Sequence, residues 1–106
     1  MRTEQKVQYL TYLDVQVFEN QLMLIRATGY SKNEPPGVPK LMPPAEADKN
    51  AVQEILELDF INQEVGDSIK EKVTFDINIV IDRSKLPESI KGVKVIAGNN
   101  ADIVLF

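Results

Sequence analysis

Lys72-Val73-Thr74-Phe75-Asp76-Ile77-Asn78-Ile79-Val80-Ile81 alternates without a break. In an extended chain Val73, Phe75, Ile77, Ile79 and Ile81 fall on one side and Lys72, Thr74, Asp76 and Asn78 on the other. A period of two therefore sets an apolar row against a core and a polar row toward water. A helix would scatter the same apolar residues around its whole circumference, and β-branched and aromatic side chains are those that fit a pleated surface. The stretch is a half-buried strand, and the rest of the chain is read outward from it as the central strand of an all-β protein.

Residues 7–18 also alternate, with Val7, Tyr9, Thr11, Leu13, Val15 and Val17 on one side and Gln8, Leu10, Tyr12, Asp14, Gln16 and Phe18 on the other. The first side is nearly all apolar and the second is mixed. This predicts a long strand that is bent, shared between two sheets, or covered on both faces for part of its length. Glu19-Asn20-Gln21 reads as a tight turn into a second strand over 22–28, and an antiparallel hairpin is the simplest pairing. Arg26, inside that strand, is expected to reach water past the sheet edge or to pair with an acid on a neighbouring strand.

From Gly29 to Pro44 the chain carries Pro35, Pro36, Pro39, Pro43 and Pro44 together with Gly37. Regular structure is expected to be interrupted here, because proline offers no backbone donor; edge or polyproline-like segments remain, with 38–42 suited to a short edge pairing. The Pro36-x-x-Pro39 spacing fits a ligand of proline-reading domains, although any proline-rich loop produces it by chance. Residues 45–61 read two ways. Asp48 with Val52, Ile55 and Leu56 suits a capped helix, whereas Leu56, Leu58 and Phe60 alternating with Glu57 and Asp59 suit a strand. The strand is preferred at 54–61, with a helical turn at 48–53 and an end at Gly66-Asp67-Ser68. Residues 82–88, with Pro87, close the 72–81 strand as a loop.

Residues 92–106 read as two short strands joined through Gly98-Asn99-Asn100, since Asn and Gly tolerate the left-handed backbone of a tight turn. The apolar ending, Ile103 to Phe106, is expected to be docked in a sheet. Six to seven strands at this spacing point to a single antiparallel β-sandwich over residues 1–106, of the immunoglobulin-like kind.

At 106 residues with 43% hydrophobic and 26% charged side chains, the chain suits one self-sufficient globular domain. No apolar run reaches the roughly 18 residues of a membrane helix, so no membrane insertion is expected. The N-terminal Met1-Arg2-Thr3-Glu4-Gln5-Lys6 leads into strand-like alternation instead of an apolar secretory region. No signal peptide is read, which leaves the cytoplasm as the default location. Net charge is -4, and residues 45–71 hold eight acids against two lysines, so the remainder is weakly basic. Without clustered Lys and Arg a nucleic-acid surface is not expected, and the acidic segment reads as a solvated face.

The repertoire for chemistry is poor. The chain has no histidine and no cysteine, which removes the commonest general base, thiolate nucleophiles and zinc-thiolate sites. No serine stands in a Gly-x-Ser-x-Gly elbow, and the adjacent pairs Ser31-Lys32 and Ser84-Lys85 point apart. Asp59, Asp76 and Asp82 are the acids to examine for carboxylate chemistry or calcium, although no Asp-x-Asp-x-Asp-Gly loop exists. The aromatics are spread one or two per strand, as core residues are. No cofactor, metal or catalytic residue is assigned. Asp76 and Asn78 form a polar stripe on the outer face of their strand, and with Tyr12 and Tyr30 they make the candidate ligand face.

The segment Lys91-Gly92-Val93-Lys94-Val95-Ile96-Ala97-Gly98-Asn99-Asn100 resembles the ending of a group of small bacterial all-β proteins, in which Gly-Val-basic-Val leads into an Ala-x-Asn turn and an apolar last strand. Ile25-Arg26-Ala27-Thr28-Gly29 is similar to that group's Ala-x-Gly strand end, and Leu56-Glu57-Leu58-Asp59-Phe60 to its Glu-Phe-Asp-Phe strand. The chain departs in lacking the group's Trp and in its longer acidic insert before Leu56. The resemblance implies a strand at 54–61 and carries no activity or site residue.

These features together lead to the expectation of a non-enzymatic binding domain. Its partner is another protein or a second copy of itself, engaged through a strand edge or an outer sheet face. The alternatives are a small-ligand or carbohydrate-binding module, which needs Tyr12 and Tyr30 exposed on a common face, and a carboxylate-based hydrolase, which needs two acids facing each other in a concave site.

Overall fold

Alternating β-branched and apolar residues build strands along most of the described residues. The computed structural model describes residues 3–43, 54–64 and 70–106. Eight strands follow in order: β1 (Thr3–Lys6), β2 (Tyr9–Val17), β3 (Leu22–Glu34), β4 (Gly37–Met42), β5 (Ile55–Glu64), β6 (Lys70–Asp82), β7 (Gly92–Ile96) and β8 (Ala101–Leu105). A 3-10 turn at Arg83–Lys85 is the sole helical element among the described residues. The expected six to seven strands are thus eight among the described residues. The expected helical turn at 48–53 and the strand end at 66–68 lie outside the described residues.

The strands form two packed sheets, one of β2, β3 and β6 and one of β1, β4, β5, β7 and β8. The architecture is an all-β, sandwich-like fold. Every pairing is antiparallel except β5 with β7, which runs parallel from Ile55↔Gly92 to Asp59↔Ile96. The wholly antiparallel expectation is corrected there, because the crossover between those two strands contains all of β6 and so returns the chain in the same direction. In β5, Ile61–Glu64 pair with both β1 and β4, which must therefore lie on opposite edges.

The 72–81 alternation is realised in β6: Phe75 is buried, Val73, Ile77, Ile79 and Ile81 pack on the core, and Thr74, Asp76, Asn78 and Val80 are exposed. Its position differs from the expectation. The middle strand of the three-stranded sheet is β3, and β6 lies at the edge. The chain does not stop at Gly29, as expected; β3 continues to Glu34 and pairs through Gly29↔Phe75 and Tyr30↔Thr74. Glycine suits this spot because a Cβ would stand 2.4 Å from the Tyr9 carbonyl oxygen and 3.0 Å from Phe60. The proline-bearing 37–42 segment does make the edge pairing foreseen, as β4.

Residues 7–18 do not form one strand. Val7 donates to the Phe60 carbonyl and accepts from Gly98 N–H, which ties the corner between the two sheets, and β2 starts only at Tyr9. A bulge between Leu10 and Tyr12 then reverses the alternation, so Leu10 is buried and Leu13 and Val15, three and five residues on, still face the core. The core gathers Val7, Leu10, Met23, Ile25, Ala27, Leu58, Phe60, Phe75, Val93, Val95 and Ala97 from both sheets.

The C-terminal hairpin forms as expected, Gly92↔Leu105 to Ile96↔Ala101. Its turn works differently, since neither Gly98 nor either Asn there has a positive φ. Ala97 N–H bonds the Asn100 carbonyl, and the Asn100 side chain accepts from Leu10 N–H at 2.7 Å and donates to the Leu10 carbonyl at 2.8 Å. The amide thus acts as one more rung against the bulged edge of β2. The ending is paired, yet its apolar side chains are not docked: Ile103, Leu105 and Phe106 remain exposed.

Candidate functional site

The outer face of the three-stranded sheet is laid out by register. One cross-strand row is Tyr9, Tyr30 and Thr74; the next is Tyr12, Thr28 and Asp76; the third is Asp14, Arg26 and Asn78. Directly paired residues share a face, so all four candidate residues, Tyr12, Tyr30, Asp76 and Asn78, stand on this one surface. Tyr12 is 52% exposed. The sequence missed Tyr9: it was placed with the core row of Val7 and Leu13, but the corner at Val7 and the bulge after Leu10 turn it outward.

These side chains are held by one another. The Tyr9 and Tyr30 rings stack with centroids 5.0 Å apart and 21° between planes, and the Lys72 ammonium sits 4.7 Å from the Tyr30 centroid. The Thr28 hydroxyl donates to Asp76 Oδ1 at 2.7 Å, and Arg26 Nε–H donates to Asn78 Oδ1 at 3.2 Å. Arg26 therefore lies on the central strand with an amide as its partner, and neither passes the sheet edge nor meets an acid as expected. The result is a surface on which the Tyr9 and Tyr30 rings, Thr28, Arg26 and their acid and amide partners are held by neighbours, beside the exposed Tyr12. All three tyrosines of the chain contribute to it. Aromatics read as core thus divide: Phe60 and Phe75 are buried, while the tyrosines, Phe18 and Phe106 face solvent.

The three acids singled out for carboxylate chemistry are not brought together. Asp76 is on the face just described. Asp59 alternates with the core-facing Leu58 and Phe60 on β5, so it faces outward on the other sheet, where it pairs with Lys6 at 3.7 Å. Asp82 caps the 3-10 turn, and the Ser84 hydroxyl and N–H, both donating to it, hold its carboxyl below the ordinary aspartate range. A groove of about 540 Å³ lies at the β2–β3 turn, lined by the apolar Val17, Phe18, Leu86 and Ile90 and by the charged Glu19, Arg83 and Glu88.

Three of the strand edges carry features that blunt them. On β8 the Asp102 carboxylate accepts from Ile103 N–H at 2.9 Å, occupying a donor the edge would otherwise present. On β2 the bulge and Asn100 occupy Leu10. Edge strand β4 contains Pro39, which has no donor. No helix among the described residues is long and apolar enough to cross a membrane. No family model, curated protein or solved structure matches the chain.

Proposed function

We propose that this chain is a non-enzymatic recognition domain that engages a protein partner across the outer face of the β2–β3–β6 sheet. The observation that carries the proposal is the gathering of Tyr9, Tyr12 and Tyr30 on one solvent-facing surface, interleaved with Arg26 and Lys72. Tyrosine and arginine supply large, partly rigid contact area with a polar tip, and are the residues that concentrate binding energy at interfaces. The blunted edges of β2, β4 and β8 favour the face over pairing, self-association included, at those three edges. Within this proposal the sandwich is of the immunoglobulin-like kind, a reading supported by its two packed, mainly antiparallel sheets. Kinship with the small bacterial all-β group is likewise proposed, on the short motifs at 25–29, 56–60 and 91–100.

A second reading, a carbohydrate or small-ligand module, is favoured by the exposure of Tyr12 beside Asp76 and Asn78, since sugar recognition combines an aromatic face with amide and carboxylate partners. One comparison tests both. Proteins cross-linked to the wild-type chain in cells of its own source are compared with those of Tyr12→Ala/Tyr30→Ala and of Glu57→Ala, which lies on the opposite sheet, and the same variants are applied to a glycan array. A protein captured by wild type and Glu57→Ala but lost with the tyrosine variant supports the first reading. Glycan binding with the same dependence supports the second. Equal capture by all three chains sinks both.

A further inference from the structure

Among the described residues β6 pairs with β3 alone, so the backbone groups along its other side meet no strand. β4 lies against β6 but bonds only to β5. Proteins close such an edge with proline, a bulge or a charge on the inward row, or by keeping the strand short. The other uncapped edge strand, β1, is four residues long. β6 uses none of these devices. It runs for 13 residues without proline, and its register with β3 holds from Leu22↔Asp82 to Lys32↔Lys72 with no shift. Its inward row, Val73, Phe75, Ile77, Ile79 and Ile81, carries no charge, and only Phe75 of the five is buried. The other four pack on the core yet keep part of their surface in water. The charges of the strand, Lys72, Asp76 and Asp82, stand on the outward row and are of both signs.

An occupant of this edge is an extended strand with an apolar residue at every second position, and β6 is itself such a strand. Two identical antiparallel strands are related by a two-fold axis, so a residue at the axis meets its own copy and its neighbours meet in reverse order. One register matches the whole apolar row against itself, that with the axis at Ile77, the midpoint of 73–81. Val73 then faces Ile81 of the second copy, and Phe75 faces Ile79. The charges fit the same register. Lys72 falls opposite Asp82, twice in the dimer, Asp76 opposite Asn78, and Thr74 opposite Val80, which is 62% exposed in the single chain. Moving the axis one residue back sets Asp76 against its own copy, and one residue forward sets Val73 against Arg83. Within the chain Lys72 lies over the Tyr30 ring and Asp82 accepts from Ser84, and the ion pairs of the described side chains, Lys6 with Asp59 and Lys91 with Glu54, use neither. We infer that β6 pairs antiparallel with β6 of a second copy about Ile77, joining two three-stranded sheets into one of six strands. An axis perpendicular to the sheet leaves both tyrosine faces on the same side, and the inference is independent of the function proposed for that face.

The experiment is analytical ultracentrifugation of the whole chain over a concentration series, together with cysteine cross-linking. A monomer–dimer equilibrium with Kd on the order of 10⁻⁵ M is expected, the weak end that suits an edge interface. The chain has no cysteine, so Ile77→Cys offers a single thiol, placed at the axis. Paired Cα atoms there are about 4.5–5.5 Å apart, within disulfide reach. Val73→Cys and Ile81→Cys each lie four residues from the axis, about 26 Å from their own copies. Oxidised glutathione should therefore link Ile77→Cys into a covalent dimer at least about tenfold faster than either. Lys72→Glu sets like charges opposite each other twice and should weaken the dimer at least about tenfold, and Lys72→Glu/Asp82→Lys should restore it. This charge series gives the second measurement should Ile77→Cys fail to fold. A chain that stays monomeric up to about 1 mM overturns the inference. So does a dimer in which the three cysteine variants link at equal rates, or one that Lys72→Glu leaves unchanged. Dissociation by Tyr12→Ala, on the far strand of the sheet, would place the contact on the tyrosine face and also overturn it.

Discussion

Replacing Asn100 by alanine isolates a part of the fold that the turn sequence does not announce. The side chain makes two hydrogen bonds to one residue, Leu10 N–H at 2.7 Å and the Leu10 carbonyl at 2.8 Å. Each net bond contributes about 0.5–1.5 kcal/mol. Asn100 itself is exposed, so its truncation leaves no cavity and water can reach part of what is uncovered. The expected cost is therefore the two bonds and little more, about 2 kcal/mol. In a domain of this size that lowers Tm by roughly 8–16 °C. Asn99 is the control, because it precedes Asn100 in the same turn and only its backbone N–H is bonded, to the Gln8 carbonyl. Asn99→Ala should stay within about 0.5 kcal/mol of wild type. Urea unfolding followed by circular dichroism measures both, with an unchanged slope showing that the unfolded state is not what moved. Equal stabilities for the two variants would refute the reasoning, since turn propensity treats the two asparagines alike and the Leu10 rung does not.

Gly29→Ala should cost about 2–3 kcal/mol in the same assay, because its Cβ would lie 2.4 Å from the Tyr9 carbonyl oxygen and the corner between β1 and β2 has to move. Phe60→Ala, which empties a fully buried ring position, should cost about 3–5 kcal/mol. Tyr12→Ala should leave stability within about 0.5 kcal/mol, its side chain being largely in water, so that any binding it abolishes is not a folding effect. For Asp82, the folded carboxyl titrates below its unfolded value because Ser84 donates to it through hydroxyl and N–H. Its stabilising effect is therefore present above the unfolded pKa and lost as pH falls through the folded one. NMR titration should show the Asp82 carboxyl moving back up toward the ordinary aspartate range in Ser84→Ala; an unmoved midpoint would exclude the hydroxyl as a cause.

Much of the local structure was legible. The alternation at 73–81, the turn at 19–21, the edge pairing at 38–42, the strand around Leu56–Phe60 and the C-terminal hairpin each rest on a pattern complete within a few residues. Side-chain direction alternates with every residue of an extended chain, and turn residues act on their own backbone, so both kinds of signal are local. The outward placement of Asp76 and Asn78 is legible in the same alternation, whereas Tyr12 and Tyr30, whose type reads as core, reach that face through register.

What the sequence could not decide was who pairs with whom. Backbone donors and acceptors are alike at every residue, so nothing in Val73–Ile81 says that β6 is an edge and β3 the middle. The bulge at Thr11 belongs to two strands at once, and with the corner at Val7 it reversed the faces of Tyr9 and Leu10 while Leu13 kept its place on the core. Glu34, Asn62 and Glu64 look like ordinary polar residues along the chain. Only the packing of β3 against β5 buries them together, since proximity between residues 28 and 30 positions apart is a property of the closed sandwich. Period and turn chemistry fixed the strands; long-range pairing, which the chain acquires only on folding, decided the tyrosine face and the acidic interior.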